Sequence, residues 1–386
     1  MLAVSRLFGE VVRRGGLPSL IGELLAGMLL GASVLNIIQP TSDLTTVSNI
    51  SLFLVMFLTG LNLHTKDILA VGRKAVLLSL PGFILPFVAG TAGAAYYGLA
   101  YREALAVGLT IAITAVPVNS IILMDLGIMK TKLGNTVLTA GVIDDQMSLV
   151  TLGIILQLPA GGGGTVDYLG VVLSIVTVLL FVGGVFLVDW MLRKNPGWMR
   201  AVVPRLKSAV RTREAGMALL LIFGIGVSLL AEQLGLHFII GAYFAGLLLN
   251  QAIGDESLAK SVGTLSGVTF GLFAPLLFAF IGIQLDPEAI ANVYQLFLLL
   301  LAVGIVGKMI GGYLGARLGG FSHPDSKIIG SLMNSRGMVE LVIASTVYEA
   351  GVISLTVYSV VVAIGIITTT MSAILSKATL GKRVPE

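Results

Sequence analysis

The sequence predicts an all-α integral membrane protein of about thirteen transmembrane helices. Three observations carry that reading. First, hydrophobic residues make up 56% of the 386 and charged residues only 11%, with a mean hydropathy of +0.99, so there is too little charge for a water-facing surface. Second, apolar runs of roughly 20 residues follow one another across short polar breaks, and a helix of that length crosses ~30 Å of hydrocarbon. Third, the basic residues collect in alternate breaks. Lipid leaves free backbone groups unsatisfied, so spans are helices or closed barrels. The runs lack the apolar–polar alternation of barrel strands, which leaves helices.

In chain order the segments fall at 1–14, 18–38, 45–63, 73–98, 102–126, 133–158, 166–192, 215–233, 236–252, 264–284, 289–316, 327–350 and 353–376. The first is too short to span and reads as an incomplete segment, not a cleaved signal. Breaks after odd-numbered segments, counted with the segment ends that flank them and the C-terminal tail, hold 20 of the 24 Lys and Arg; breaks after even-numbered segments, counted the same way, hold one, Arg102. The positive-inside rule then places the C-terminus in the cytoplasm and the N-terminus outside. The basic stretch 194–214 reads as an amphipathic linker lying on the cytoplasmic face. It divides a first half, 1–193, from a second half, 215–386.

The absence of cysteine excludes disulfides, thiol catalysis, cysteine zinc sites and iron–sulfur ligation. His64, His237 and His323 stand at separate span ends, so no buried metal centre is expected, and no cofactor. The pI of about 9.2 reflects basic loops and does not point to nucleic acid.

An internal repeat runs through both halves. IGELLAGMLL at 21–30 matches IGAYFAGLLL at 240–249 in six of ten positions, and GLNL at 60–63 echoes GIQL at 282–285. The matched segments are seven apart, an odd number, so the repeats, at about 18–158 and 236–376, have opposite orientations in the membrane. Inverted repeats are the mark of alternating-access transporters, whose sites lie where the repeats meet.

A charge in mid-span costs ~2.5–3.5 kcal/mol and is seldom kept without a task. Asp144 and Asp145, in GVIDDQMSL, are the sharpest case. Two adjacent carboxylates in a low-dielectric site need a counter-charge, which a proton or a metal cation in transit can supply. Adjacent helical residues point about 100° apart, so the two can face different partners. Ser148 follows one turn after Asp144 as a supporting oxygen. Lys308 lies on a small-residue face with Gly304, Gly311, Gly312 and Gly315, where a second helix can approach and bring a carboxylate within reach. Pro117 interrupts segment five, and the 219-residue offset carries it to Arg336 in segment twelve. Paired interruptions point to a transport site between broken helices, with Thr114, Asn119, Ser120, Asn334 and Ser335 adding oxygens. Arg336 and Glu340 are four apart and can pair; Glu23 reads as structural or as a gate.

These pieces resemble the monovalent cation–proton antiporter superfamily. They are IGELLAGMLLG near the start, DILAVGRKA at 67–75, VIDDQ at 142–146, FIIGAYFAGLLL at 238–249, LFAPLLFAFIGIQLD at 272–286, GKMIGGYLGA at 307–316 and MNSRGMVEL at 333–341. Bacterial Na+/H+ antiporters and the membrane parts of K+/H+ exchangers are the nearest relatives in kind. The resemblance implies thirteen helices, two inverted repeats with crossed discontinuous helices, and a separate dimerisation part, hence a homodimer in a bacterial inner membrane. It implies Asp145 as the ion-binding carboxylate, Asp144 paired with Lys308 in the ion-free state, and breaks at Thr114–Asn119 and Asn334–Gly337. Two aspartates resemble the electrogenic branch. The expected cargo is Na+ (or Li+) exchanged for H+, with K+/H+ exchange as the alternative. A passive channel fits the repeat less well. An intramembrane aspartyl protease needs two carboxylates converging on one water, which adjacent residues do not provide. Met338 stands where many bacterial relatives carry a glutamate, so that residue's role is not transferred to Glu340.

Overall fold

The computed structural model describes all residues except 16, 63–72, 126–127, 130, 159–167, 195–214, 251–255 and 381–386. His64, Lys66, Lys130, most of the 194–214 linker and part of DILAVGRKA lie outside the described residues. The described chain is helical and carries no strand. Its helices are α1 (Leu2–Arg14), α2 (Ser19–Leu30), α3 (Ser42–Leu61), α4 (Arg73–Tyr96), α5 (Tyr101–Ala112), α6 (Val116–Asp125), α7 (Lys132–Gln157), α8 (Tyr168–Lys194) and α9 (Ala215–Gln233). The second half continues with α10 (Phe238–Leu249), α11 (Glu256–Val268), a π-helical turn (Thr269–Phe273), α12 (Ala274–Ile283), α13 (Pro287–Asn292), α14 (Tyr294–Leu318), α15 (His323–Met333), α16 (Met338–Glu349) and α17 (Leu355–Leu380). Among the described residues, eight helical stretches are long and apolar enough to cross a bilayer unaided, and α2 and α10 are shorter apolar helices. Leucines and isoleucines stand exposed along α8, α9 and α14, including Leu180, Leu187, Ile222, Leu229 and Leu298, as a lipid-facing surface requires.

The helix order repeats. Phe238 lies 219 positions after Ser19 and opens a helix of the same 12 residues; Leu355 lies 223 after Lys132 and opens one of the same 26. The resemblance between IGELLAGMLL and IGAYFAGLLL has a packing cause. A Cβ at Gly27 of α2 would strike the Ala279 carbonyl of α12, and one at Gly282 of α12 would strike that of Leu24. In the other repeat, Gly246 of α10 meets the Phe57 carbonyl of α3, and Gly60 of α3 meets that of Tyr243. Each repeat lends one short helix to the other's longer one, and only glycine permits the approach.

The structure departs from the segment bounds expected from sequence at two places. The segment at 18–38 is helical only to Leu30, because Gly31 turns extended and the chain then folds back, with Ile38 N–H bonded to the Leu30 carbonyl. In segment five the break falls at residues 113–115, ahead of Pro117, which sits in the first turn of α6. A proline is tolerated there because first-turn N–H groups have no helical acceptor. The half-helices α6 and α16 begin 222 positions apart, so Pro117 corresponds to Val339, not Arg336.

Polar ends are tied down by side chains. Arg102 donates to the last carbonyls of α7, Ile155 at 3.0 Å and Leu156 at 2.7 Å, while Glu103 accepts from Ser354 N–H, just ahead of α17, at 3.3 Å. The first turn of α5 thus fastens corresponding helices of both repeats. Pro275 has no N–H to give back to the π-turn, and Arg6 of α1 bonds the Phe270 carbonyl at 2.7 Å and the Gly271 carbonyl at 2.6 Å.

Candidate cation and proton site

The two breaks cross. Ala115 N–H donates to the Ser335 carbonyl at 2.9 Å, and Ser335 Oγ donates to Asn119 Oδ1 at 2.7 Å. The helix ends that meet here carry unsatisfied carbonyls at α5 and α15 and unsatisfied N–H groups at α6 and α16. Arg336 answers one pole: its Nη1 donates to the Thr110 carbonyl at 2.8 Å, in the last turn of α5. Glu340 answers another from the first turn of α16 and pairs with Arg336 at 3.2 Å. Both are buried, and the pair expected from their four-residue spacing is present.

Asp144, in the middle of α7, is fully buried and saturated with donors. Its Oδ1 accepts from Ser79 Oγ of α4 at 2.5 Å; its Oδ2 accepts from Thr114 Oγ1 at 2.6 Å and from Lys308 Nζ at 3.0 Å. Lys308 also donates to the Gly82 carbonyl at 2.8 Å. That carbonyl is free because Pro86, four residues on, has no N–H to give it. The glycine face of α14 makes the lysine's position possible. Gly311 lies on Gly82 and the Pro81 carbonyl, Gly315 on Leu77 and Leu78, Gly312 on Met333 and Gly330 of α15, and Gly304 against the Arg336 guanidinium. The face expected to admit one helix therefore admits two helices and a side chain.

Asp145 points elsewhere. It is 3% exposed, and its Oδ1 has no protein partner. Gln146, next along, donates its amide to the Tyr243 hydroxyl of α10, leaving its own Oε1 buried without a partner. Asn334, in the second break, has both side-chain atoms buried and unpartnered. Acceptor oxygens on Asp145, Gln146 and Asn334 are thus buried without protein donors, a condition native proteins avoid unless a ligand or water is taken.

The other expected residues fall outside this arrangement. Ser148 donates to the main-chain carbonyl of Asp144 at 2.7 Å, not to its carboxylate, and Ser120 donates to the Val116 carbonyl at 3.0 Å. Glu23 is buried against α1, 3.8 Å from Arg6. Ser79, the Gly82 carbonyl and Tyr243 were missed. Only the Gly82 carbonyl had a signal, the proline four residues after it in LPGFILP.

A family model described as sodium/hydrogen exchanger, transmembrane, matches residues 2–380. The chain is 32% identical over 346 residues to the Na+/H+-K+ antiporter GerN of Bacillus cereus, covering 90% of this chain and 86% of that protein. It is 29% identical over 343 residues to a Na+/H+ antiporter of Enterococcus hirae, covering 89% and 86%. The sodium–proton antiporter MjNhaP1 of Methanocaldococcus jannaschii has a similar solved structure, with a TM-score of 0.71 at 17% identity over 98% of this chain and 94% of that one.

Proposed function

Because the chain belongs to the sodium/hydrogen exchanger family, we propose that it exchanges Na+ for H+ by alternating access, with Asp145 as the group for which ion and proton compete. The observation that carries this reading is the asymmetry of the two aspartates. Asp144 is matched by Lys308 and two hydroxyls, whereas Asp145 keeps an unpartnered buried oxygen. The set Asp144, Asp145 and Lys308 is one positive charge short of neutral. One Na+ or one proton supplies it, and burial disfavours leaving the carboxylate bare.

In the proposed cycle a cation takes Asp145, and the buried, unpartnered oxygen of Asn334 and the crossover backbone are the groups offered to complete its shell. Asp144 then leaves Lys308, which gives up its proton, so two protons move against one cation and the exchange carries charge. The Arg336–Glu340 pair holds the opposed helix ends neutral while the core, α4–α7 with α14–α17, shifts against a scaffold of α1–α3 and α9–α12. The 1–193 and 215–386 halves, the cytoplasmic C-terminus and the bacterial inner membrane remain part of this proposal. So does a homodimer, which the exposed Leu7 and Val11 of α1 favour. K+ is the second cargo to consider, since one relative is a Na+/H+-K+ antiporter. A protease reading loses support from the divergence of Asp144 and Asp145.

Competition is tested by measuring Na+ dependence at several pH values in proteoliposomes. The apparent Na+ affinity is expected to weaken about tenfold per pH unit where only the Asp145 proton is displaced, and up to about a hundredfold where the Lys308 proton is displaced as well. A pH-independent affinity would rule out competition at Asp145.

A further inference from the structure

The cycle above leaves Glu340 as a charge partner only, yet one of its oxygens is unused. Glu340 is 2% exposed; Arg336 takes Oε1, and Oε2 is buried without a protein partner. The residue lines a cavity between α2, which contributes Leu20 and Leu24, and α17, which contributes Gly365 and Thr369. About 10 Å³ is open there to the centre of a water molecule. Roughly 10–15 Å³ on that measure holds one water, provided polar partners are present. Two are present: Glu340 Oε2 and Thr369 Oγ1. The hydroxyl donates to the Arg336 carbonyl at 2.7 Å and accepts from Arg336 N–H at 3.2 Å, which leaves one lone pair. Gly365 makes the room, since a Cβ there would stand 3.2 Å from each carboxylate oxygen.

The position of this cavity follows from the inverted repeat. Thr369 lies 223 positions after Gln146, and Leu24 lies 219 before Tyr243, the offsets that relate α17 to α7 and α2 to α10. One seam therefore sets Gln146 beside Asp145 against Tyr243. Its counterpart sets Thr369 beside Glu340 against Leu24, where an aliphatic side chain has no hydroxyl to offer the polar groups. The charged groups facing Glu340 are Arg336 ahead of its own helix and Lys308 from α14. Asp144 of α7 is held by Lys308, Glu23 of α2 turns to Arg6, and the α17 residues that line the cavity, Gly365, Ile366 and Thr369, carry no ionisable group. The cavity offers two oxygen ligands and room for about one water, whereas a hard metal ion takes about six oxygens, so it does not fit a second metal ion. A proton and a water are the ligands that fit.

We propose that Glu340 is a second proton-binding site, exchanging its proton through a water held between its Oε2 and Thr369 in this cavity. The role in transport rests on the antiport reading; the proton site itself does not. The test is infrared difference spectroscopy of the purified full chain during acidification, in H2O and D2O. Wild type is expected to gain a protonated-carboxyl band component that downshifts in D2O, persists in Asp145→Asn and is absent in Glu340→Gln. Gly365→Ala, which crowds both oxygens while keeping the carboxyl, is expected to slow the deuterium exchange of that component severalfold. Thr369→Val, which removes the water's second partner, is expected to do the same and serves if Glu340→Gln fails to fold. An unchanged band in Glu340→Gln, or wild-type exchange kinetics in both cavity variants, overturns the proposal. In proteoliposomes, Glu340→Gln should also move the pH profile of Na+-driven proton flux by about one unit, a tenfold change in proton dependence. An unmoved profile contradicts the transport role. If wild type shows no cation-driven flux at all, the antiport reading fails, while the infrared result still decides the proton site.

Discussion

Replacing Lys308 with alanine removes a cation from a fully buried site. Its ammonium holds Asp144 Oδ2 at 3.0 Å and the Gly82 carbonyl at 2.8 Å, and both members of the ion pair are fully buried. Breaking a buried pair from one side costs about 3–5 kcal/mol. The Gly82 carbonyl, deprived of a helical donor by Pro86, adds part of the ~1–3 kcal/mol for an unsatisfied buried group. The two terms share one side chain and do not simply add. The expected loss is therefore about 3–5 kcal/mol. Denaturant unfolding of the purified protein measures it, with Asp144→Asn and the double variant completing a cycle. The double variant should be more stable than Lys308→Ala alone, with a coupling of several kcal/mol. A single variant within about 0.5 kcal/mol of wild type, with no coupling, would refute the reasoning, since exposed sites behave that way and buried pairs do not.

Other perturbations read different parts of the account. Asp145→Asn should abolish cation-dependent proton flux while leaving the fold intact, because the oxygen it alters has no protein partner; retained exchange would move the binding role elsewhere. Pro86→Ala gives α4 the N–H that competes for the Gly82 carbonyl, so Lys308 should be held less firmly. An altered pH dependence with little loss of expression is expected, and an unchanged profile would mean the carbonyl does not matter. Gly282→Ala places a methyl against the Leu24 carbonyl and should cost about 1–3 kcal/mol of stability, measured by thermal unfolding, as overpacked sites do. Tyr243→Phe keeps the ring but removes the hydroxyl that Gln146 bonds across the seam between α7 and α10. Its expected effect is a change in Na+ KM larger than any change in stability, which should stay near 1 kcal/mol.

What the sequence made legible follows from what each residue costs. Asp144, Asp145 and Lys308 stand out because a charge in an apolar span is expensive enough to be conspicuous. The repeat stands out in AG at 26–27 and 245–246 because a carbonyl of the partner helix presses on each glycine, which leaves that position no alternative. Ser79 gives no such signal, since a serine inside a helix ordinarily bonds its own backbone and costs little, as Ser148 does. Pro117 misled in the opposite direction. A proline in an apolar run reads as an interruption, whereas here it opens the second half-helix after a break made by Ile113, Thr114 and Ala115, none of which is a breaker by type. The crossing itself, with Ala115 bonded to Ser335, joins residues 220 apart and has no local trace.

The most direct test of the central claim is proton flux in proteoliposomes loaded with an internal pH dye and challenged in turn with Na+, Li+, K+ and choline, with and without a clamped membrane potential. The account predicts a pH change driven by Na+ or Li+ and not by choline, lost in Asp145→Asn, and faster when the potential favours charge movement. A K+ response would name the alternative cargo. A folded, correctly inserted protein that answers to no cation, or whose Asp145→Asn variant answers as wild type does, would contradict it.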